Sequence, residues 1–303
     1  MDAERGRALA RAMPIVFVLI WSTGFIVARY GMPHAPPMSF LALRYALSIA
    51  CFLLWIAASR AAWPRGRVQW AHLAVTGVLM HAGYLGGVWA AVKAGIGAGT
   101  VALIVGLQPV LTALWLGAAA SAAERVSGRQ WAGLLLGLAG LALVVTPKLG
   151  QGEVTSANLT LALFALLCIT AGTLYQKRHL EACDVRTASA VQLAAALAVT
   201  LPFALGESEA IDWQPALLGA MAWSVLALTL GASSLLYLLI QRGAATAVTS
   251  LLYLVPPCTA ALAWLLFDEP LGATVLLGMA LTAAGVALVL RRARGSVAAE
   301  AGA

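Results

Sequence analysis

Arg44, His81 and two prolines, Pro109 and Pro256, offer the most chemistry in this 303-residue chain, because each lies in a long run with no other charge. On a helix, Tyr84 follows His81 at i+3 on the same face, and Gly77 at i−4 leaves room beside the imidazole. An imidazole there can take and release a proton or hydrogen-bond a solute. Proline lacks an N–H, and its ring clashes with the carbonyl four residues back. Pro109 therefore frees the carbonyl of Val105, Pro256 that of Leu252 and Pro257 that of Tyr253. Such carbonyls can accept hydrogen bonds from a ligand. The competing reading is an ordinary kink healed by neighbouring helices, and for His81 a neutral ring bonded to an adjacent helix.

Other polar and aromatic groups recur in the same kind of run. They are Trp21 and Ser22, Gln108, Thr170 with Thr173 and Tyr175, Ser233 with Ser234 and Tyr237, and Tyr253. Together they could supply the few fixed polar groups that an apolar pocket needs. Singly, a serine or threonine in a membrane helix more often bonds its own backbone or a neighbour. Tyr175 and Tyr237 also suit interface anchors. The candidate substrate site is thus Trp21, Ser22, His81, Tyr84, Gln108, Pro109, Thr170, Ser233, Tyr253 and Pro256. Arg44, ~10 Å deep at 1.5 Å per residue, is read first as structural, its head snorkelling to the outer headgroups. A gate or carboxylate-binding role is the alternative.

The elements that must position these residues follow from composition. Hydrophobic residues make up 62% and charged residues 10% of the chain, with mean hydropathy +0.90. Soluble domains carry about 25% charge. A polytopic membrane protein is what remains. Ten segments are long enough to cross a bilayer or nearly so: 12–28, 30–59, 68–92, 94–123, 130–147, 154–176, 187–206, 213–241, 243–267 and 270–290. They are apolar on every face, which excludes a barrel and leaves helices. The first is expected to be a retained span and not a signal peptide, because it holds Trp21 and ends in Arg29-Tyr30 without a small-residue cleavage site. With the N-terminus inside, 15 Lys/Arg fall on the cytoplasmic side and 3 outside. Both termini are then cytoplasmic. The net charge of +7 is a topology signal spread over short loops, so a nucleic-acid partner is not expected.

An internal repeat runs at an offset of 145 to 147 residues. Pro109, Thr112 and Glu124 match Pro256, Thr259 and Glu269, and Gly133 and Gly140 match Gly278 and Gly285. Five spans per half is an odd number, so the second half enters the membrane from the other side. That is the inverted-topology architecture of many secondary transporters. The halves are 14–147 and 158–291, joined by a linker at 148–157.

The residues Trp21-Ser22-Thr23-Gly24-Phe25, Leu107 with Pro109, Leu254 with Pro256, and the following Glu124 and Glu269 carry a family resemblance. The chain resembles EamA-type members of the drug/metabolite transporter superfamily over nearly its whole length. Family members usually have glycine before that glutamate, where this chain has Ala123 and Asp268. The resemblance implies an all-α protein of ten transmembrane helices around a central cavity, commonly an exporter of amino acids or related metabolites.

Absences narrow the chemistry. No Asp or Glu lies inside any segment, so a carboxylate proton relay has no members. Proton coupling would have to run through His81 or the substrate. A cationic drug lacks an opposite charge, and a sugar phosphate lacks a Lys/Arg cluster. The four cysteines are scattered, so neither a disulfide framework nor a zinc site is expected. Enzyme motifs are missing, and no cofactor is expected. A neutral or zwitterionic amphipathic metabolite fits best, carried across a bacterial cytoplasmic (inner) membrane by a monomer or weak dimer. The rival classes are a non-transporting scaffold or sensor and an integral-membrane lipid-processing enzyme.

Overall fold

In the computed structural model, residues 2–119, 128–150, 152–232, 235 and 254–300 are described. Among them every regular element is a helix, and there is no strand. In chain order these are α1 (Asp2–Gly31), α2 (Pro37–Ser59), α3 (Arg67–Lys93), α4 (Ala98–Val105), α5 (Gln108–Ala119), α6 (Gly128–Gly150), α7 (Ser156–His179), α8 (Val185–Gly206), α9 (Pro215–Ala232), α10 (Val255–Phe267) and α11 (Ala273–Glu300). Six stretches are long and apolar enough to cross a membrane: α2, α3, Trp131–Leu149 of α6, α7, α8 and α9. Shorter apolar helices are Ile15–Gly31, Ala98–Thr112, Val255–Phe267 and Ala273–Leu288.

Local sequence sets the helix ends. Pro37 and Pro215 stand in first turns, where a missing N–H costs nothing. Thr155 and Asn158 cap α7 reciprocally, at 3.2 and 2.9 Å. The Asp184 carboxylate accepts from the Arg186 N–H at 2.9 Å and starts α8. Asp268 ends α10 in the left-handed region at φ 54°. Glycine is the usual occupant of that conformation, which fits the position where the family pattern has glycine.

Two helices change pitch midway. α3 is a π-helix over Val78–Gly83, and α9 is one from Ser224 to Ala232. The two segments start 146 residues apart, inside the offset of the sequence repeat. A π-turn widens the helix locally and often marks a functional site.

The expected proline kinks are breaks. α4 ends at Val105, the chain turns at Gly106 and Leu107, and α5 begins anew with Pro109 as its second residue. The Leu107 carbonyl accepts from both Val110 and Leu111, at 3.0 and 3.1 Å. Pro256 likewise stands in the first turn of α10. In such places proline starts a helix and need not bend one. The carbonyls of Leu252 and Tyr253 lie outside the described residues.

Close approaches use glycine. A Cβ on Gly106 would lie 2.8 Å from Pro256 Cγ, so α10 docks on the α4–α5 break. A Cβ on Gly77 would overlap the Gln192 backbone, bringing α3 onto α8. Gly83 and Gly87, a small-xxx-small pair that lets helices approach closely, seat α3 against Cys168 and Ala165 of α7. Gly140 abuts the Gly278 carbonyl, while Gly285 abuts Gly133 and Gly137, so α6 and α11 cross in near contact. The main core gathers Phe17, Phe40, Tyr45, Phe52 and Trp89, with Phe40 and Trp89 stacked at 4.4 Å.

Candidate functional site

A buried polar cluster is built from residues of α2, α3 and α9. Arg44 on α2 is 7% exposed. Its Nε and Nη2 both donate to Thr229 Oγ1 on α9, at 3.3 and 3.1 Å. Thr229 in turn donates to the Ser224 carbonyl at 2.8 Å, the five-residue reach of a π-turn. Thr229 is 14 residues along from Pro215. That is roughly 21 Å from the end expected outside, against half of a ~30 Å hydrocarbon core. The guanidinium is therefore held inside the helix bundle by Thr229, and not turned out toward the end expected outside as snorkelling would require. The reason is the hydroxyl that the π-turn of α9 presents to it.

His81 and Tyr84 stand beside this pair. His81 lies on the π-segment of α3 and keeps part of its surface open. The Gln192 side chain on α8 is its polar neighbour. The Tyr45 hydroxyl donates to the His81 carbonyl at 2.9 Å, and the two rings meet edge-on at 6.2 Å. Tyr84 is buried one turn further along. Both aromatic residues lie in the electrostatic reach of Arg44. Among the described residues Arg44 bonds no carboxylate.

The remaining expected residues divide. Trp21 is half-buried, with its ring 5.3 Å from that of Phe17. The hydroxyls of Ser22 and Thr170 are spent on their own helices, each donating at 2.7 Å to the carbonyl four residues back. The Ser22 carbonyl accepts from Thr259 at 3.1 Å and ties α1 to α10. Gln108 donates to Thr173 at 2.9 Å and ties α5 to α7. Pro109 and Pro256 flank the α4–α5 break. No hydrogen bond among the described residues links Trp21, Gln108 or Thr170 to Arg44 or His81. Ser233 and Tyr253, with Ser234 and Tyr237, lie outside the described residues. Tyr175 hydrogen-bonds His72 at 2.8 Å and stacks on His179 at 4.4 Å, near the end expected inside.

Tyr45 and Gln192 carry no signal in the sequence that sets them apart, and the Arg44 side chain runs inward to Thr229 against expectation. The signal for Arg44 was its solitude in a long apolar run. The signal for Thr229 was absent, because its partner is 185 residues away.

The ends expected outside are tied across the chain. Glu207 accepts from the Met38 and Ser39 N–H groups at 3.0 and 2.7 Å, a carboxylate at the N-terminus of α2. Glu269 does the same for Ala98 and Gly99 of α4, at 2.9 and 3.3 Å. Lys93 pairs with Glu209 at 2.5 Å, His34 with Asp212 at 3.2 Å and Lys148 with Glu153 at 2.7 Å. A small cleft beside them is lined by Thr100, Lys148, Pro256 and Glu269. Among the described residues no group of three or more His, Cys, Asp or Glu could hold a metal ion.

Comparison with known proteins gives a consistent pattern. The family model of the EamA-like transporter family matches residues 10–146 and 157–291. A protein of Salmonella typhimurium named "Probable amino-acid metabolite efflux pump" is 26% identical over 64% of this chain. One of the same name in Escherichia coli is 24% identical over 63% of it. The matches span 62% and 61% of those two relatives' lengths. A protein of Archaeoglobus fulgidus named "Uncharacterized transporter" is 24% identical over 89% of this chain and 93% of its own length. One solved crystal structure superposes with a TM-score of 0.64 at 20% identity, over 94% of this chain and 98% of the other, which speaks to fold alone.

Proposed function

Because the chain belongs to the EamA-like transporter family, and so is a multi-pass membrane transporter and not an enzyme, we propose that it exports small zwitterionic or neutral amphipathic metabolites of the amino-acid class. It does so by alternating access of two inverted five-span halves in the bacterial inner membrane, with both termini cytoplasmic. The observation that carries this reading is the polar cluster of Arg44, Tyr45, His81, Tyr84 and Thr229 at mid-membrane depth, built where α3 and α9 both loosen into π-turns. Ionisable groups at that depth mark solute or proton paths by default, and the interface of inverted repeats is where such carriers bind.

Further observations support it. The six long helices and four shorter apolar ones fall on the ten segments read from the sequence. The glycines of α6 and α11 pack reciprocally: Gly133 corresponds to Gly278 and Gly140 to Gly285, while the contacts join Gly140 to Gly278 and Gly133 to Gly285. A two-fold interface pairs residues in this crossed way. The cross-chain bonds of Glu207, Glu209, Asp212 and Glu269 hold the outer ends together. An exporter loads from the cytoplasm, and a closed outer end is what its loading state requires. The amino-acid class rests on the names of the two relatives.

The test is an efflux screen over the common amino acids in cells overproducing the protein, with His81→Ala and Trp21→Ala beside it. Raised tolerance and faster efflux of one or more amino acids are expected, with a loss in the variants. No amino acid exported would remove the substrate class, and full efflux by both variants would remove the site.

A further inference from the structure

The α2–α9 seam holds more hydrogen-bonding capacity than it uses. Arg44 has five N–H donors, and two of its nitrogens share a single hydroxyl, that of Thr229. Its third nitrogen, Nη1, has no partner among the described residues. A hydroxyl is no counter-charge, and a guanidinium buried without one is costly. The same two helices carry two fully buried hydroxyls with no partner among the described residues, Ser48 and Ser224. Ser48 follows Arg44 by four residues, on the same face of α2. Ser224 precedes Thr229 by one π-turn, on the same face of α9. One fixed cation and two idle hydroxyls therefore line both walls of one seam.

We propose that this seam is the receptor for the carboxylate of the exported solute, so that the carrier takes carboxylate-bearing metabolites and discriminates against the corresponding amides and amines. The inference rests on the export reading above and sharpens it. A carboxylate accepts from a guanidinium through two parallel bonds and still has lone pairs for two hydroxyls. A phosphate dianion would call for more than one cation, and the seam holds one. An ammonium group on the same solute must lie away from Arg44, toward the Tyr45, Tyr84 and His81 rings. The protein supplies no acid at the seam, so the solute would bring the missing charge and carry it away again.

The experiment uses the full chain in proteoliposomes. Counterflow is measured for whichever of the twenty amino acids the wild type moves fastest, and for its amide. The wild type should prefer the acid by about tenfold or more, because the amide leaves the cation unpaired. Arg44→Gln should lower transport of the acid by about tenfold or more relative to that of the amide, erasing the preference. Arg44→Lys and Thr229→Val should reduce the ratio in part, and they carry the test if Arg44→Gln does not fold. A wild type that moves acid and amide alike, or variants that slow both in one ratio, would overturn the receptor and leave the export reading standing. A wild type that moves none of the twenty would overturn both.

Discussion

The two π-segments are alike in backbone and unlike in chemistry. Val78–Gly83 and Ser224–Ala232 start 146 residues apart, each in the middle of a long apolar helix. At that offset His81 corresponds to Ala227, Tyr84 to Leu230 and Arg44 to Ala190. The first half thus supplies the charge, the imidazole and the phenols. The second supplies neutral hydrogen-bonding groups, Thr229, Ser224 and Gln192. The shared device is mechanical: a π-turn releases carbonyls from the regular ladder, and both are used, that of His81 by Tyr45 and that of Ser224 by Thr229. A repeat can keep its hinges symmetric while its solute sees an asymmetric surface.

The largest effect should come from the wall behind the first segment. Gly77 leaves no space for a side chain against the Gln192 backbone. Gly77→Leu should therefore abolish folded protein in size-exclusion chromatography. Its counterpart is Trp223, which is exposed and donates to Thr23 at 2.8 Å, so Trp223→Ala should still fold. Equal behaviour of the two would break the contrast.

Next comes the chemistry. His81→Ala should reduce export driven by an imposed pH gradient by about tenfold, since it is the one titratable ring on either segment. Ala227→Ser, at the corresponding place, should change it by less than about twofold. Steep gradient dependence that survives His81→Ala would move proton coupling to the solute.

A smaller effect is expected at Tyr45. Tyr45→Phe removes one of two hydrogen bonds to the His81 carbonyl, the other coming from the Tyr84 N–H, at a cost of about 1 kcal/mol, read as a severalfold loss of export with normal expression. No change would mean that the bond plays no part in positioning His81.

The smallest effect lies outside both segments. Hydrogen bonding from the Arg186 guanidinium holds the Asp184 carboxyl below its usual range. A carboxyl so depressed stabilises the fold at neutral pH, and that contribution fades as pH falls through the lowered value. Asp184→Asn should therefore lower thermal stability slightly at pH 7, by about 1 kcal/mol or less. The difference from wild type should shrink below about pH 4, since the ordinary value is 3.8.

Much of this arrangement is legible in the sequence, and the reason is physical. A bilayer allows only helices of a set length, so charge-free runs mark the long apolar helices. Matched Pro109 and Pro256 point to interrupted helices, although proline spacing alone does not tell a bend from a fresh start. The nearness of His81 and Tyr84 was readable, because each carries its own signal in an apolar run. Nearness was unreadable where the partner is remote: nothing near Arg44 in the chain indicates Thr229. Ser22 and Thr170 illustrate the opposite failure, since a hydroxyl in a helix can always turn back on its own carbonyl, as both do here.

The most direct test of a solvent-reached site at the α2–α3–α9 junction is chemical labelling of His81→Cys in a background with Cys51, Cys168, Cys183 and Cys258 replaced. In inside-out vesicles a small membrane-impermeant thiol reagent should modify that cysteine, and a transported amino acid should slow the modification. Reaction only with a lipid-soluble reagent, at a rate no amino acid alters, would place His81 against acyl chains and contradict the account.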